Sequence, residues 1–261
     1  MKNMSRFLSA MLCALTLVPA QAQVQPLPQP QGQTQGNRFP LPPADWPAPV
    51  PDRQVVSYLL LDRLEYRWQK GANVRVWDAQ GWIGGDYNKL WLKSEGEKTA
   101  GGRTEAADVQ LLYARLITPF WYLQAGVRNE ARPGPSRNYG VLGIQGLAPG
   151  WFDVEASLFV RAGNVSGRVE AEYDQLLTQR LILQPRIETG FSGSSDRARG
   201  VGSGINDVQL GLRLRYEIRR EIAPYIGYTW GRKVGNTADI ARGNGERVTE
   251  HGIVVGLRIW Y

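Results

Sequence analysis

The segment Thr249 to Tyr261 alternates with period two. Ile253, Val255, Leu257, Ile259 and Tyr261 share one face, while Gly252, Val254, Gly256, Arg258 and Trp260 share the other. Such alternation marks a strand whose two faces meet different surroundings. The same pattern runs upstream. Val109, Leu111 and Tyr113 oppose Asp108 and Gln110, and Leu123, Ala125 and Val127 oppose Gln124 and Arg128. Val208, Leu210, Leu212, Leu214 and Tyr216 oppose Asp207, Gln209, Arg213, Arg215 and Glu217. One face is apolar enough for lipid and the other is charged with both signs. A sheet edge cannot stay open in hydrocarbon, so the sheet must close. A soluble sandwich uses the same period, but a strand finishing on Trp260 and Tyr261 suits the interfacial aromatics of a membrane barrel. The pattern therefore predicts an all-β fold, a closed antiparallel transmembrane β-barrel.

Turns set the strand count. Thr118-Pro119-Phe120-Trp121, Ala148-Pro149-Gly150-Trp151 and Leu177-Thr178-Gln179-Arg180 recur about every thirty residues, and Ala223-Pro224-Tyr225 is expected as the next. Longer polar loops alternate with them near 96–104, 129–137, 191–204 and 232–247, the asymmetry of outer-membrane barrels. Ten strands follow from about Asp86 to Tyr261, and Gln69-Lys70-Gly71-Ala72 divides Tyr58 to Ala79 into two more. The expected total is twelve.

Residues 1–22 read as a secretory signal, with Lys2 and Arg6, an apolar run from Phe7 to Val18, and the small-residue site Ala20-Gln21-Ala22. Residues 23–53 form a Pro/Gln-rich arm with too little apolar surface to offset ordering entropy, expected as a periplasmic linker. Residues 54–261 are the barrel. No later stretch is long and apolar enough for a helical span. Of the formal net charge of +7, Lys2 and Arg6 lie in the leader. The remaining basic residues are interleaved with acidic ones, which argues against nucleic-acid binding.

Several passages resemble the bacterial copper resistance protein B family. They are the run from Trp77 to Glu97 (WDAQGWIGGDYNKLWLKSEGE), Arg132-Pro133-Gly134-Pro135-Ser136-Arg137, Gln145-Gly146-Leu147-Ala148-Pro149, the run Glu170 to Arg180 (EAEYDQLLTQR) and Gly211 to Glu217 (GLRLRYE). The resemblance implies an outer-membrane barrel active in copper tolerance, with copper as its ion and a periplasmic copper oxidase or copper carrier as partner. It further implies outer-membrane lipid around the barrel. Gly256, Ile259 and Tyr261 resemble the C-terminal signal by which the barrel-assembly machinery recognises such proteins. Family members usually carry an N-terminal region rich in Met and His, whereas the Pro/Gln arm here has neither.

The ligand inventory is sparse. Thioether and thiolate donors suit Cu(I) and imidazole suits Cu(II), yet Met1, Met4, Met11 and Cys13 all fall in the leader and His251 is the one histidine. His251 has the parity of the lipid-facing residues near a rim, where a polar girdle role competes with metal binding. Copper bound by this chain would have to use lumen carboxylates, for which the candidates are Asp153, Glu155, Glu170, Glu172, Asp174, Glu188 and Asp207. Arg168, Arg186, Arg213 and Arg215 lie on the same face and are expected to neutralise them. Lys89, Lys93 and Glu95 read the same way. Gly200-Val201-Gly202-Ser203-Gly204 has no Lys-Ser/Thr after it and reads as a flexible loop rather than a phosphate cradle. One histidine without a partnered serine argues against a hydrolase and for a non-enzymatic protein. The leading expectation is a weakly binding copper conduit, the alternative a channel or structural barrel without copper preference.

Overall fold

A computed structural model describes residues 54–100, 102, 104–131 and 135–261. The leader and arm expected over residues 1–53 lie outside the described residues. Among the described residues, twelve long strands follow one another: β1 (Val56–Gln69), β2 (Val74–Gly84), β3 (Asn88–Thr99), β4 (Thr104–Thr118), β5 (Trp121–Ala131), β6 (Arg137–Ala148), β7 (Phe152–Arg161), β8 (Asn164–Tyr173), β9 (Leu181–Ser192), β10 (Gly204–Tyr216), β11 (Ile222–Lys233) and β12 (Thr249–Trp260). Each pairs antiparallel with its neighbours in chain order, and β12 pairs with β1 from Leu60↔Trp260 to Gln69↔Gly252. Backbone bonds in both directions between Leu59 and Tyr261, each 2.8 Å, extend that seam to the last residue. The barrel is closed, as the alternation requires, and no helix is long and apolar enough to cross a membrane among the described residues.

Alternation sorts the side chains. Leu111 (48 % exposed) and Val127 (59 %) face outward, while their neighbours Gln110 (1 %) and Gln124 (0 %) are sealed inside. The interior is less uniformly charged than the pattern suggested. Trp91, Leu112, Ala114, Val141 and Phe159 form an apolar cluster on the lumen wall, with Trp82, Tyr122 and Tyr139 packed against it. A narrow barrel must fill its interior with side chains, and here part of the filling is apolar.

The connections fall at two ends: the turn end, and the loop end, which holds the longest ones, 193–203 and 234–248, but also the two-residue hairpin Ala162-Gly163 between β7 and β8. Thr118–Trp121, Ala148–Phe152 and the Leu177–Leu181 turn fall where the spacing predicts, the last closed by a 2.9 Å bond from Leu177 N to Leu181 O. Ala223-Pro224-Tyr225 is not a turn. It lies within β11, paired with Arg258, Leu257 and Gly256, and residues 217–221 make the connection. Proline is tolerated there on an outward, non-donating position. Pro185 in β9 has a related setting. Its partner strand β8 breaks at Asp174 and resumes pairing only at Gln175–Leu176, so no ladder bond is demanded of the missing N–H.

The loop end holds an element that period two could not announce, an α-helix α1 over Gly235–Gly243. Thr237, Ala238 and Ala241 are its buried face. Gly202 N donates to Thr237 Oγ1 at 2.9 Å, and Asp196 pairs with Val201, so the glycine-rich stretch is docked on α1 instead of standing free.

Gly256 has a packing role of its own. A methyl group there would stand 2.5 Å from the Tyr225 ring, whose hydroxyl reaches Glu65. Gly256→Ala should therefore destabilise the barrel by about 1–3 kcal/mol through overpacking, read from urea unfolding. An unchanged midpoint would show that the ring has another place to go.

Candidate functional site: the charged lumen

Strands β7, β8 and β9 build the acidic wall. Register places Glu155 opposite Glu170 and Glu170 opposite Glu188, so three carboxylates stand side by side across three strands. Asp153 faces Glu172 one row nearer the turn end, and Glu172 in turn faces Arg186. Like charges in adjacent cross-strand positions repel. Cations from the same and opposite walls hold the row together. Lys93 Nζ donates to Glu155 at 2.7 Å and to Gln145 at 2.9 Å. Arg186 contacts Glu170 and Glu188, the latter at 3.0 Å.

Two of these contacts cross the lumen. Arg168 on β8 meets Glu95 on β3 at 2.5 Å, and Lys93 on β3 meets Glu155 on β7. Strands four or five places apart in a ring of twelve are not neighbours along the wall, so these pairs reach across the lumen. A third long-range pair, Arg213 Nε to Glu65 at 2.6 Å, is sealed with both residues buried, and Tyr225 donates to the same carboxylate oxygen at 3.2 Å. Arg63 binds Asp78 at 2.7 Å, and Arg128 binds Asp108 at 2.5 Å.

Above this belt, toward the loop end, lies a cavity of about 710 Å³ floored by Arg63, Arg168, Arg186 and Arg213. Arg161, Arg197 and Arg247 line its upper part. Arg199 reaches in from the 193–203 loop to Glu130 and donates to the Pro135 carbonyl at 3.2 Å. Two loop contacts are charge-assisted. The hydrogen bond from Arg137 holds the Asp196 carboxyl below the usual carboxylate range, and that from Lys233, 2.8 Å long, does the same for Glu246.

The structure distributes the sequence-expected residues unevenly. Glu155, Glu170 and Glu188 share one row, with Glu172 and Asp153 beside it. Asp174 lies at the β8 break, bound to Arg215 at 2.6 Å. Asp207 stands apart near the loop end, accepting from Gln209 at 3.0 Å. His251 faces outward, opposite Trp230 and stacked on Tyr228 with ring centroids 6.4 Å apart. It is on the wrong side of the wall to join the carboxylates. Among the described residues, no group of three or more His, Cys, Asp or Glu is arranged to hold a metal ion. Glu65, Arg63, Asp78, Asp108 and Arg128 complete the network. The period-two run Arg63, Glu65, Arg67 was the available signal for the first two, but the bulge between Leu61 and Leu64 obscures its phase.

The closed twelve-stranded barrel with a charged lumen defines a porin-like β-barrel of the outer-membrane kind. A solved NanC porin shares the fold at a TM-score of 0.52 and 12 % identity, covering 77 % of this chain and 98 % of that one. Residues 55–261 match the family model described as copper resistance protein B precursor. The chain is 46 % identical over 213 residues to a copper resistance protein B homolog of Pseudomonas syringae pv. tomato, covering 81 % of this chain and 72 % of that relative. It is 45 % identical over 237 residues to a copper resistance protein B of Escherichia coli, covering 86 % and 80 %. The chain belongs to the copper resistance protein B family.

Two measurements check the lumen and the loops. Arg213→Met leaves Glu65 buried without its main counter-charge and should cost about 3–5 kcal/mol, while Arg213→Met with Glu65→Met should recover most of it. Urea unfolding of the two variants decides, and equal loss in both would contradict the pairing. Since Asp196 and Glu246 titrate below their ordinary values when folded, their contacts contribute at neutral pH and are lost as pH falls through those depressed values. Amide exchange in 193–203 and 244–248, corrected for its intrinsic pH dependence, should rise only below roughly pH 4. Protection unchanged at pH 3 would count against it.

Proposed function

We propose that this barrel serves copper tolerance at the outer membrane as a weakly binding copper conduit, non-enzymatic and working with a periplasmic copper oxidase or carrier. The turn end faces the periplasm, where a linker of residues 23–53 emerges after a leader of residues 1–22 is removed, and the loop end faces outside. Gly256, Ile259 and Tyr261 serve as the signal for the barrel-assembly machinery. The observation that supports the conduit is the carboxylate row Glu155, Glu170 and Glu188, already engaged and partly neutralised by Lys93 and Arg186. A copper ion entering the row competes with the protein's own cations, so it is held loosely and released, as conduction demands. Among the described residues, nitrogen and sulfur donors that would make a tight copper site are not gathered in the lumen. The arginine-lined cavity at the loop end favours the second reading, a channel without copper preference.

Calorimetry on the purified protein should show weak Cu(II) binding that His251→Ala leaves unchanged. Copper flux into vesicles should fall several-fold in Glu170→Gln, whose loss weakens the row. A single submicromolar site abolished by His251→Ala would overturn the conduit. Copper flux equal to that of sodium, insensitive to Glu170→Gln, would support the unselective channel instead.

A further inference from the structure

Two cations stand side by side on the outside of the barrel near the loop end. Val74 and Val76 point into the lumen and are 3 % and 4 % exposed, so Arg75 between them points outward and is exposed. Lys98 of β3 is exposed on the same outer face, and register sets the two directly opposite each other. Like charges in that position destabilise a strand pair unless an anion lies between them. Among the described residues neither makes an ion pair with a carboxylate. The outward positions of β1, β2, β3, β11 and β12 in this half of the barrel carry no Asp or Glu, and on β4 the acidic residue nearest in sequence to Lys98's partner Thr104 is Glu105, at the irregularity in the β3–β4 register.

The surface continues from this pair toward the seam. Tyr66 lies opposite Arg75, accepts from Asn73 Nδ2 at 3.1 Å, and meets Trp68 edge-on with centroids 4.8 Å apart. Beside Trp68, where β1 meets β12, a crevice of about 400 Å³ is lined by Trp68, Lys70, Asn73, Tyr228, His251 and Ile253. Its polar lining is at the loop end, and the outward residues toward the membrane centre, Leu64, Ile226 and Val255, are apolar. Strands are about 4.8 Å apart, so the crevice lies roughly 10 Å from the cation pair.

We propose that this outer rim is a binding site for a phosphate-bearing lipid of the leaflet at the loop end. Arg75 and Lys98 share the phosphate, Lys70 and His251 face the remainder of the headgroup, and an acyl chain lies in the crevice between Trp68 and Tyr228. The phosphate removes the repulsion between the two cations, and the aromatic rings sit where headgroup meets hydrocarbon. His251 thus has a role at the membrane boundary that requires no metal.

The test uses the folded full-length protein in zwitterionic detergent and native mass spectrometry, with bis-phosphorylated lipid A, its dephosphorylated form and inorganic phosphate as probes. The phosphorylated lipid should be retained, its dephosphorylated form should not, and equimolar inorganic phosphate should fail to displace it. At about fivefold per removed charge, Arg75→Gln with Lys98→Gln should weaken retention roughly thirtyfold. Arg75→Lys should retain the lipid, which separates lost charge from lost folding. Arg115→Gln, outward but at the turn end, should bind as the unaltered protein does. Undiminished retention in the double variant, or equal retention of the dephosphorylated lipid, would overturn the proposal. Displacement by equimolar inorganic phosphate would overturn it too, assigning the site to the free anion.

Discussion

Hydrocarbon offers no hydrogen bonds, so a sheet immersed in it must pair every strand on both sides. In this chain that demand is met at the seam between β1 and β12, where the ladder runs on to Leu59 and Tyr261. Most of the architecture follows from that closure. Once the sheet is a cylinder, alternation sends about half of each strand's side chains outward to lipid and the rest into a narrow lumen. The residues that fill the lumen have nowhere else to go, and their charges must be satisfied by one another.

The lumen shows how that is done. A carboxylate row forms where strand register brings Glu155, Glu170 and Glu188 together, and cations from the same wall and from across the lumen close over it. Burial of charge is costly, so these pairs hold only because each partner is present. They are accordingly a poor source of net stability and a good source of specificity, since any slip in register would leave charges facing wrong partners. The apolar cluster around Leu112 and Phe159 fills part of the remaining space and leaves the open cavity at the loop end.

Membership in the copper resistance protein B family and this donor set constrain each other. The proposed conduit rests on carboxylates already engaged by arginine and lysine, which suit transient contact with a metal ion rather than storage. The outer surface carries a separate chemistry. Arg75 and Lys98 lie on the opposite side of the wall from the carboxylate row, so the outer rim and the lumen can be altered independently.

Alternation of apolar and polar residues determined the strand identity and the need for closure, because a two-residue period leaves each strand only one way to face lipid, and the spacing of the turns set the count of twelve. It also assigned Arg168, Arg186, Arg213 and Arg215 and the carboxylates of β7 to β9 to one face. The partners were decided by tertiary structure. Glu65 and Arg213 are far apart in the chain, and Glu95 meets Arg168 only because β3 and β8 lie across a closed ring. Pro224 looked like a turn because proline usually breaks strands, yet an outward position in β11 accommodates it. Helix α1 was illegible for the complementary reason: its buried face, Thr237, Ala238 and Ala241, is defined by the loop it packs against, not by a hydrophobic stripe of its own. Local periodicity encodes which way a residue points; which residue it meets depends on the curvature and register of the closed sheet, which no single segment contains.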